Sequence, residues 1–563
     1  MTIKTHVCAS REVLMTFTLT YVIGNEKLTT QESNHHVTIT RTTSSWQHGQ
    51  RLTVTIKPEQ SLTLVSAVME EPLVFDNDTV FMLNGYQSWT ETREFTTKDR
   101  MRGLDHLPRW LLHKYQLRQY GDLHIAKTGK RLFHGFTYGY IRNQKQFRLT
   151  GSLNDQEAFL VIYHDLANSL TRLESDVEGL VLDSSFTLFD VLFLEGTHDE
   201  VFDTYMRELP QIGERPVLIG YTSWYNYYQH ISEQILLDDL DALQGKYNLF
   251  QIDDGYQTYI GDWLDVNLDK LPNGLMPIKT RIEDKKMMPG IWLAPFVCEK
   301  KSRVYREHPE WVAKDRQGRA IMGGSNWSGF MVLDLELEAV RNHIKKALHT
   351  MRHTYGFTFF KLDFLYAAAL PSRPHQTRAQ AMHQALLFIR ECLPDAYILG
   401  CGMPLSSGFG LVDYCRIGPD ISLLFDDVWY MKWMHRERIS TKQAILNTIY
   451  RRELDKRVFY NDPDVYLLRN HNIRLSTEQK EALLVINALF GSVLLTSDNV
   501  STLSLRSKTL FQTAKQLLKA TDKTVTQHGH MIEISYVLEG RHENLVYDSR
   551  RGVLTRWSHV RKD

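Results

Sequence analysis

The sequence has no excess of charge of either sign: 66 Lys and Arg stand against 66 Asp and Glu in 563 residues. That balance argues against nucleic acid or an anionic membrane as partner. Cysteine is scarce. The five present, Cys8, Cys298, Cys392, Cys401 and Cys415, are odd in number and scattered, which is not a disulfide framework. No apolar region follows the first residues Met1 to Ala9, because Arg11 and Glu12 interrupt it, so no secretory signal is expected. No apolar run reaches the length of a membrane span, and no internal repeat or low-complexity tract is present. A cytoplasmic protein with no membrane partner is the expectation.

Rings are plentiful. The chain holds 11 Trp and 26 Tyr, a supply that serves sugar binding and ordinary cores equally well. Its length is too great for one compact core, so two or three domains are expected. Residues 1–210 carry short alternating stretches such as Val37-Thr38-Ile39-Thr40, Leu52-Thr53-Val54-Thr55-Ile56 and Gly135-Phe136-Thr137-Tyr138-Gly139-Tyr140. These predict antiparallel strands in an N-terminal β-sandwich. A linker is predicted between Leu209-Pro210 and Arg215-Pro216.

From 211 to 500 the pattern alternates strand and helix. Strands are predicted near 216–221, 248–253, 289–294, 357–363, 397–401, 412–417, 457–460 and 491–496, with helices between them such as Leu337 to Tyr355 and Gln376 to Cys392. Eight such units predict a (β/α)8 TIM-type barrel. Residues 501–563 return to strand texture, as in Met531-Ile532-Glu533-Ile534-Ser535-Tyr536, and predict a small C-terminal antiparallel β domain.

Three charged stretches then fall at the C-terminal ends of predicted strands, where barrel enzymes place their chemistry. In Phe359-Phe360-Lys361-Leu362-Asp363-Phe364, Lys361 and Asp363 point to the same side of an extended strand. An ammonium nearby favours the ionised carboxylate, which suits a nucleophile; a buried structural ion pair fits the same residues. In Arg416-Ile417-Gly418-Pro419-Asp420, a strand again ends in charge before a Gly-Pro turn. Two carboxylates on separate strands, each with a cation nearby, fit glycoside hydrolysis: one attacks, the other donates and then removes a proton. Taken alone, Asp420 fits a turn or a helix N-cap as well. In Phe250-Gln251-Ile252-Asp253-Asp254-Gly255-Tyr256, adjacent carboxylates repel unless something occupies them. No HxH, HExxH or CxxC spacing lies beside them, so sugar hydroxyls are a better occupant than a metal. No cofactor is called for.

These stretches, with Gly290-Ile291-Trp292-Leu293-Ala294-Pro295-Phe296, occur in an order that resembles the α-galactosidases of glycoside hydrolase family 36, the melibiases, of the shorter bacterial type. Asn84-Gly85-Tyr86-Gln87-Ser88-Trp89, Gly220-Tyr221-Thr222-Ser223-Trp224-Tyr225, His308-Pro309-Glu310-Trp311, Gly400-Cys401-Gly402 and Asn461-Asp462-Pro463-Asp464 extend the likeness over about residues 80–500. The resemblance implies Asp363 as nucleophile on the fourth strand and Asp420 as acid/base on the sixth. It implies retention of anomeric configuration, which goes with carboxyl groups roughly 5–5.5 Å apart. It also implies Lys361 at O3 and O4 and beside Asp363, Arg416 near O2 or O3, and Asp253 and Asp254 at O4 and O6. Trp224, Tyr225, Trp292 and Trp89 then line the site, Trp89 reaching over the barrel mouth from the N-terminal domain, and Cys401 sits near O2.

The segment Ile421-Ser422-Leu423-Leu424-Phe425-Asp426-Asp427 departs from the family and supplies two rival carboxylates, Asp426 and Asp427. Asp420 is preferred because Arg416 lies four residues before it. The expected activity is retaining hydrolysis of small α-1,6-galactosides of the melibiose and raffinose type, with galactose as product. An α-N-acetylgalactosaminidase, an α-galactosyl transglycosylase, or an inactive sugar-binding barrel are the alternatives. Oligomeric state is not legible.

Overall fold

A computed structural model describes residues 15–243, 245 and 247–557. The readings made on Met1 to Ala9 and Cys8 lie outside them.

Two seven-stranded antiparallel sheets occupy residues 16–196. Alternation builds them: along Gly49–Pro58 every second residue from Gln50 onward is buried. Phe17, Leu19, Tyr21, Met69 and Ile162 of one sheet share a core with Val54, Ile56, Phe81, Phe189 and Val191 of the other. The stretch read as one strand at 135–140 is two strands, Leu132–Phe136 and Tyr138–Asn143, which belong to different sheets. Thr137 between them has φ +68, a left-handed conformation that breaks the strand and lets the chain change sheets.

The central sheet is parallel. Its strands are β1 (Leu218–Thr222), β2 (Leu249–Ile252), β3 (Met288–Leu293), β4 (Phe359–Leu362), β5 (Tyr397–Gly400), β6 (Tyr414–Arg416), β7 (Tyr460–Asp462), β8 (Val465–Tyr466) and β9 (Val493–Thr496). They pair in the order β7-β6-β5-β4-β3-β2-β1-β9-β8. Because β7 and β8 are separated only by Pro463 and Asp464, the curled sheet begins and ends within residues 460–466. The sequence reading put this strand at 457–460. It starts at Tyr460, and Asp464 interrupts it with φ +77. Every residue of β2, β4 and β9 is buried, as parallel strands covered on both faces require.

The intervening helices start where the sequence supplies caps. Thr377 and Gln380 form a capping box for Arg378–Cys392, Ser476 and Gln479 another for Thr477–Phe490, and Ser440 caps Thr441–Tyr450. The predicted helix at 337–355 is Glu338–His349 with a continuing π turn to Thr354.

Past residue 500 the strand texture is preceded by a helix, Leu505–Gln516, capped by Ser504 and burying Leu510, Phe511 and Ala514. A four-stranded antiparallel sheet follows, from Thr521–His528 to Val553–Arg556. Among the described residues no helix is long and apolar enough to cross a membrane.

Gly220 in β1 is flanked by backbone. A Cβ there would lie 2.7 Å from the Leu249 carbonyl oxygen and 2.9 Å from Leu495 Cδ2. Gly220→Ala should therefore destabilise by about 1–3 kcal/mol through overpacking. Thermal unfolding checks this; an unchanged midpoint would contradict the packing described for β1.

Candidate active site

Asp363 follows the last residue of β4, and its backbone N–H donates to the Leu293 carbonyl at 2.8 Å, which sets the strand end. Trp292 Nε1 donates to its Oδ2 at 3.2 Å and the Phe364 backbone N–H to its Oδ1 at 2.8 Å. Phe364 has φ +53, unusual for an aromatic residue. Tyr228, Trp327, Ser328 and Asp464 are also left-handed, at φ +49, +53, +65 and +77. Trp327 and Asp464 hold or neighbour the carboxylates described below.

Lys361 was read as the cation beside Asp363. Its ammonium instead pairs with Asp253 Oδ2 at 2.9 Å, both groups buried, and acts on Asp363 only through space. Burial is the largest influence and opposes the lysine's charge, but Asp253 together with Cys401 and Asp363 holds the ammonium above its ordinary range. Asp253 has more partners still. Its Oδ2 accepts from Gln251 Nε2 at 2.7 Å and Thr222 Oγ1 at 3.1 Å, and its Oδ1 from the Asp254 backbone N–H at 2.9 Å. The repulsion anticipated between Asp253 and Asp254 is thus relieved by protein groups. Asp254 accepts from Gln257 Nε2 at 2.6 Å, Gln229 Nε2 at 2.8 Å and Trp327 Nε1 at 3.1 Å, and burial pushes its carboxyl up.

Arg416, at the end of β6, has 1% of its side chain exposed and faces three carboxylates: Asp420 Oδ1 at 3.1 Å, Asp462 Oδ2 at 3.0 Å and Asp464 Oδ1 at 2.9 Å. Asp462 and Asp464 are wholly buried, whereas the Asp420 side chain keeps 33% of its surface. Burial pushes Asp464 up to about 7, with Asp420 and Asp462 adding to the rise and Arg416 opposing it. Asp420 is raised too, first by burial and also by the charge on Asp363, against Arg416 and Lys361. One exposed carboxyl with a raised pKa and a second carboxylate nearby is the pattern of an acid paired with a base or nucleophile.

Tyr225 was expected against the ligand. It is buried, and its hydroxyl donates to Asp464 Oδ2. It orients that carboxylate from behind. Trp292 is buried beside Asp363, and Trp224 meets Tyr228 edge-on at 5.2 Å on the turn after β1. Trp89, on a turn leaving the N-terminal sheets, lies at the Asp363 end of the central sheet. Its ring lies edge-on to Phe364 at 5.7 Å and Tyr366 at 5.8 Å, against Gly402, where a Cβ would be 2.9 Å from the indole. Cys401 is buried among Asp363, Arg416, Lys361 and Asp420, with its thiol held well above its ordinary value by burial.

Of the rival carboxylates, Asp426 is taken by Arg438 at 2.8 Å and falls below its ordinary value, burial being outweighed by Arg438, the Asp427 backbone N–H and the Ser440 hydroxyl together. Asp427 accepts from the Val428 backbone N–H, and burial raises it. Sequence reasoning missed Trp327, Gln229 and Gln257, and gave Asp462 and Asp464 no role. Trp327 sits in a small antiparallel insertion between β3 and β4, whose only signal was the turn-forming Ser325-Asn326-Trp327-Ser328-Gly329. A cavity of about 490 Å³ lies between the two N-terminal sheets, lined by Trp46, His48 and Arg148 among others, and includes none of these carboxylates.

The family model described as Melibiase matches residues 195–394. The chain is 29% identical over 188 residues to the α-galactosidase AgaA of Geobacillus stearothermophilus, covering 31% of this chain and 24% of that one. The matched stretches are thus less than a third of the length of the curated relatives. Among solved structures, the α-galactosidase TtGalA of Thermus thermophilus, in complex with p-nitrophenyl α-D-galactopyranoside, superposes with a TM-score of 0.70 and 25% identity, covering 89% of this chain and 98% of that one. The fold of the family 36 AgaA from Geobacillus stearothermophilus also matches, at a TM-score of 0.59 and 14% identity over 91% of this chain and 72% of that one.

Lys361→Met would leave Asp253 charged and buried without its ion-pair partner. The expected cost is about 3–5 kcal/mol. Urea unfolding of the variant checks it; a loss under about 1 kcal/mol would mean that Asp253 does not depend on Lys361.

Proposed function

The chain is a relative of the glycoside hydrolase family 36 α-galactosidases, and from that kinship we propose that it is a retaining α-galactosidase working by double displacement. The observation that carries the reading is the contrast between two carboxylates at one sheet end. Asp363 accepts from the indole N–H of Trp292 and from the Phe364 backbone N–H, which fix its orientation. Asp420 is raised by burial yet keeps a third of its side chain exposed. An ionised nucleophile beside a protonated acid is what glycosyl transfer with retention requires.

In this reading Asp363 attacks the anomeric carbon while Asp420 gives its proton to the leaving oxygen. The glycosyl-enzyme then forms on Asp363, and Asp420, now a base, takes a proton from the water that releases the sugar. Arg416 keeps Asp420 in place throughout. Asp254 and Lys361 are the polar groups proposed for the galactose hydroxyls, Asp253 acting through Lys361, and Trp292, Trp89 and Trp224 the apolar walls. A site whose buried polar groups are matched to one epimer rejects the other by leaving those groups unpaired.

The curled parallel sheet is read as a (β/α)8 barrel closed through residues 460–466, with a β-sandwich over 1–210, the barrel over 211–500 and a C-terminal β domain over 501–563. Small α-1,6-galactosides are the proposed substrates. The p-nitrophenyl α-galactoside and stachyose held by the Thermus thermophilus relative support an α-galactoside as substrate. A cytoplasmic location belongs to the same proposal, supported by the four described cysteines, all buried and free.

Asp363→Gly should lose at least about 10³-fold in turnover, since no glycosyl-enzyme can form. Azide in the vacated space should yield the inverted β-galactosyl azide; a variant keeping a tenth of wild-type activity would remove Asp363 from this role. Asp420→Ala should slow melibiose far more than a dinitrophenyl α-galactoside, whose phenolate leaves without protonation. Equal slowing of both would place the acid elsewhere.

The pH profile supplies a further check. The acid works protonated, so kcat/KM falls as pH rises through the pKa of Asp420. The Lys361 ammonium, acting through space, lowers that pKa. Lys361→Met should therefore shift the basic limb to higher pH. A limb that stays put, or moves down, would contradict the coupling of Lys361 to Asp420.

A further inference from the structure

Arg451, at the C-terminal end of helix Thr441–Tyr450, has no exposed surface. All five of its N–H donors are used. Nη1 donates to the Ser88 carbonyl at 2.7 Å and the Ile417 carbonyl at 2.6 Å, Nη2 to the Gln87 and Thr90 carbonyls, both at 3.0 Å, and Nε to Asn84 Oδ1 at 3.2 Å. None of these acceptors is a carboxylate. Burying a guanidinium against neutral oxygens alone is costly, and burial lowers its pKa to about 10. A group placed at such cost, with its whole planar fork filled, fixes geometry rather than neutralising charge.

What it fixes lies on two sides. Four of the five bonds go to residues 84–90, the turn that carries Trp89 out of the N-terminal sheets. Asn447, one helical turn earlier, adds bonds from Nδ2 to the Ser88 and Thr90 carbonyls and accepts from the Thr92 backbone N–H at 2.8 Å. The fifth bond goes to Ile417, the residue after Arg416 on the segment that leads to Asp420. Gly85 shows how closely the fork is seated: a Cβ there would come within 2.8 Å of Arg451 Nη2 and 2.6 Å of Thr90 Cβ.

We propose that Arg451 is a positioning residue for galactoside binding: its guanidinium locks the Trp89 wall to the strand end that bears Arg416 and Asp420. The inference rests on the α-galactosidase reading for what the wall binds, but not for the clamp itself. Trp89 touches Phe364, the neighbour of Asp363, so the clamp sets one wall of the site relative to both proposed carboxylates. Its effect should fall on substrate binding, because Trp89 offers no group to the reacting atoms.

The test is a double-mutant cycle. Arg451→Lys keeps the charge but cannot fill five donor positions, and Gly85→Ala displaces the fork from the other side. With p-nitrophenyl α-galactoside, each should raise KM about tenfold while kcat changes less than about threefold. In a Trp89→Ala background the same substitutions should change KM less than about twofold, because the wall they position is gone. Equal KM effects in both backgrounds would overturn the proposal, since a residue that merely stabilises the fold gives additive losses. In parallel, the protein is labelled with 5-fluorotryptophan and its Trp89 resonance assigned by Trp89→Phe. Arg451→Lys or Gly85→Ala should shift that ¹⁹F resonance and leave that of the buried Trp263 in place. An unmoved Trp89 resonance would overturn the clamp. If the wild type fails to hydrolyse the galactoside, the activity reading falls, and the fluorine spectra alone decide whether Arg451 positions Trp89.

Discussion

A guanidinium with almost no exposed surface, shared by three carboxylates, is the constraint on which the rest of this site depends. Arg416 meets Asp420, Asp462 and Asp464 within 3.1 Å. One positive charge cannot satisfy three negative ones in a medium of low dielectric, so the group holds protons that isolated carboxylates would release. The two wholly buried members are structural: Asp462 lies on β7 beside β6, and Asp464 turns back to it through a left-handed residue and receives the Tyr225 hydroxyl. The third, Asp420, is the member left open to the outside. Its raised carboxyl comes from burial and from the charge on Asp363, while Arg416 holds it in place and pulls the other way.

The opposite side of the site is built differently. Asp363 accepts from the Trp292 indole and the Phe364 backbone N–H, while the Lys361 ammonium is engaged with Asp253. Lys361, Asp253, Gln251 and Thr222 knit β4, β2 and β1 together beneath the carboxylates. The left-handed residues Phe364 and Trp327 are packed by Trp89, Trp292 and Tyr366, which can hold such conformations. In the proposed site the turn that bears Trp89 is thus one wall.

Much of this was legible in the sequence, and the parts that were not share a cause. Alternation at 49–58 and the eight apolar runs that open or precede the charged motifs gave the sheets, because period and burial are local properties. The charged strand ends gave Asp363 and Asp420. Pairing is long-range: nothing in Phe360-Lys361-Leu362-Asp363 says that the ammonium will reach Asp253, which lies 108 residues earlier, rather than the aspartate two residues on. For the same reason Tyr225 read as a ligand contact, although its partner is Asp464. Trp327 was hidden in an insertion with turn chemistry and no periodicity. The helix at 505–516 was missed because its apolar residues are few and its amphipathic face narrow, so the strands that follow dominated the reading.

The central claim is that Asp363 is the group that bonds to the sugar while the Arg416 cluster supplies the acid. The most direct measurement is covalent trapping with an activated fluorinated α-galactoside, whose electron-poor ring slows release of the glycosyl-enzyme, followed by peptide mass spectrometry. The account predicts a single galactosyl adduct on the carboxylate of Asp363. An adduct on Asp420, Asp253 or Asp254, or continued turnover of the reagent with no adduct at Asp363, would contradict it.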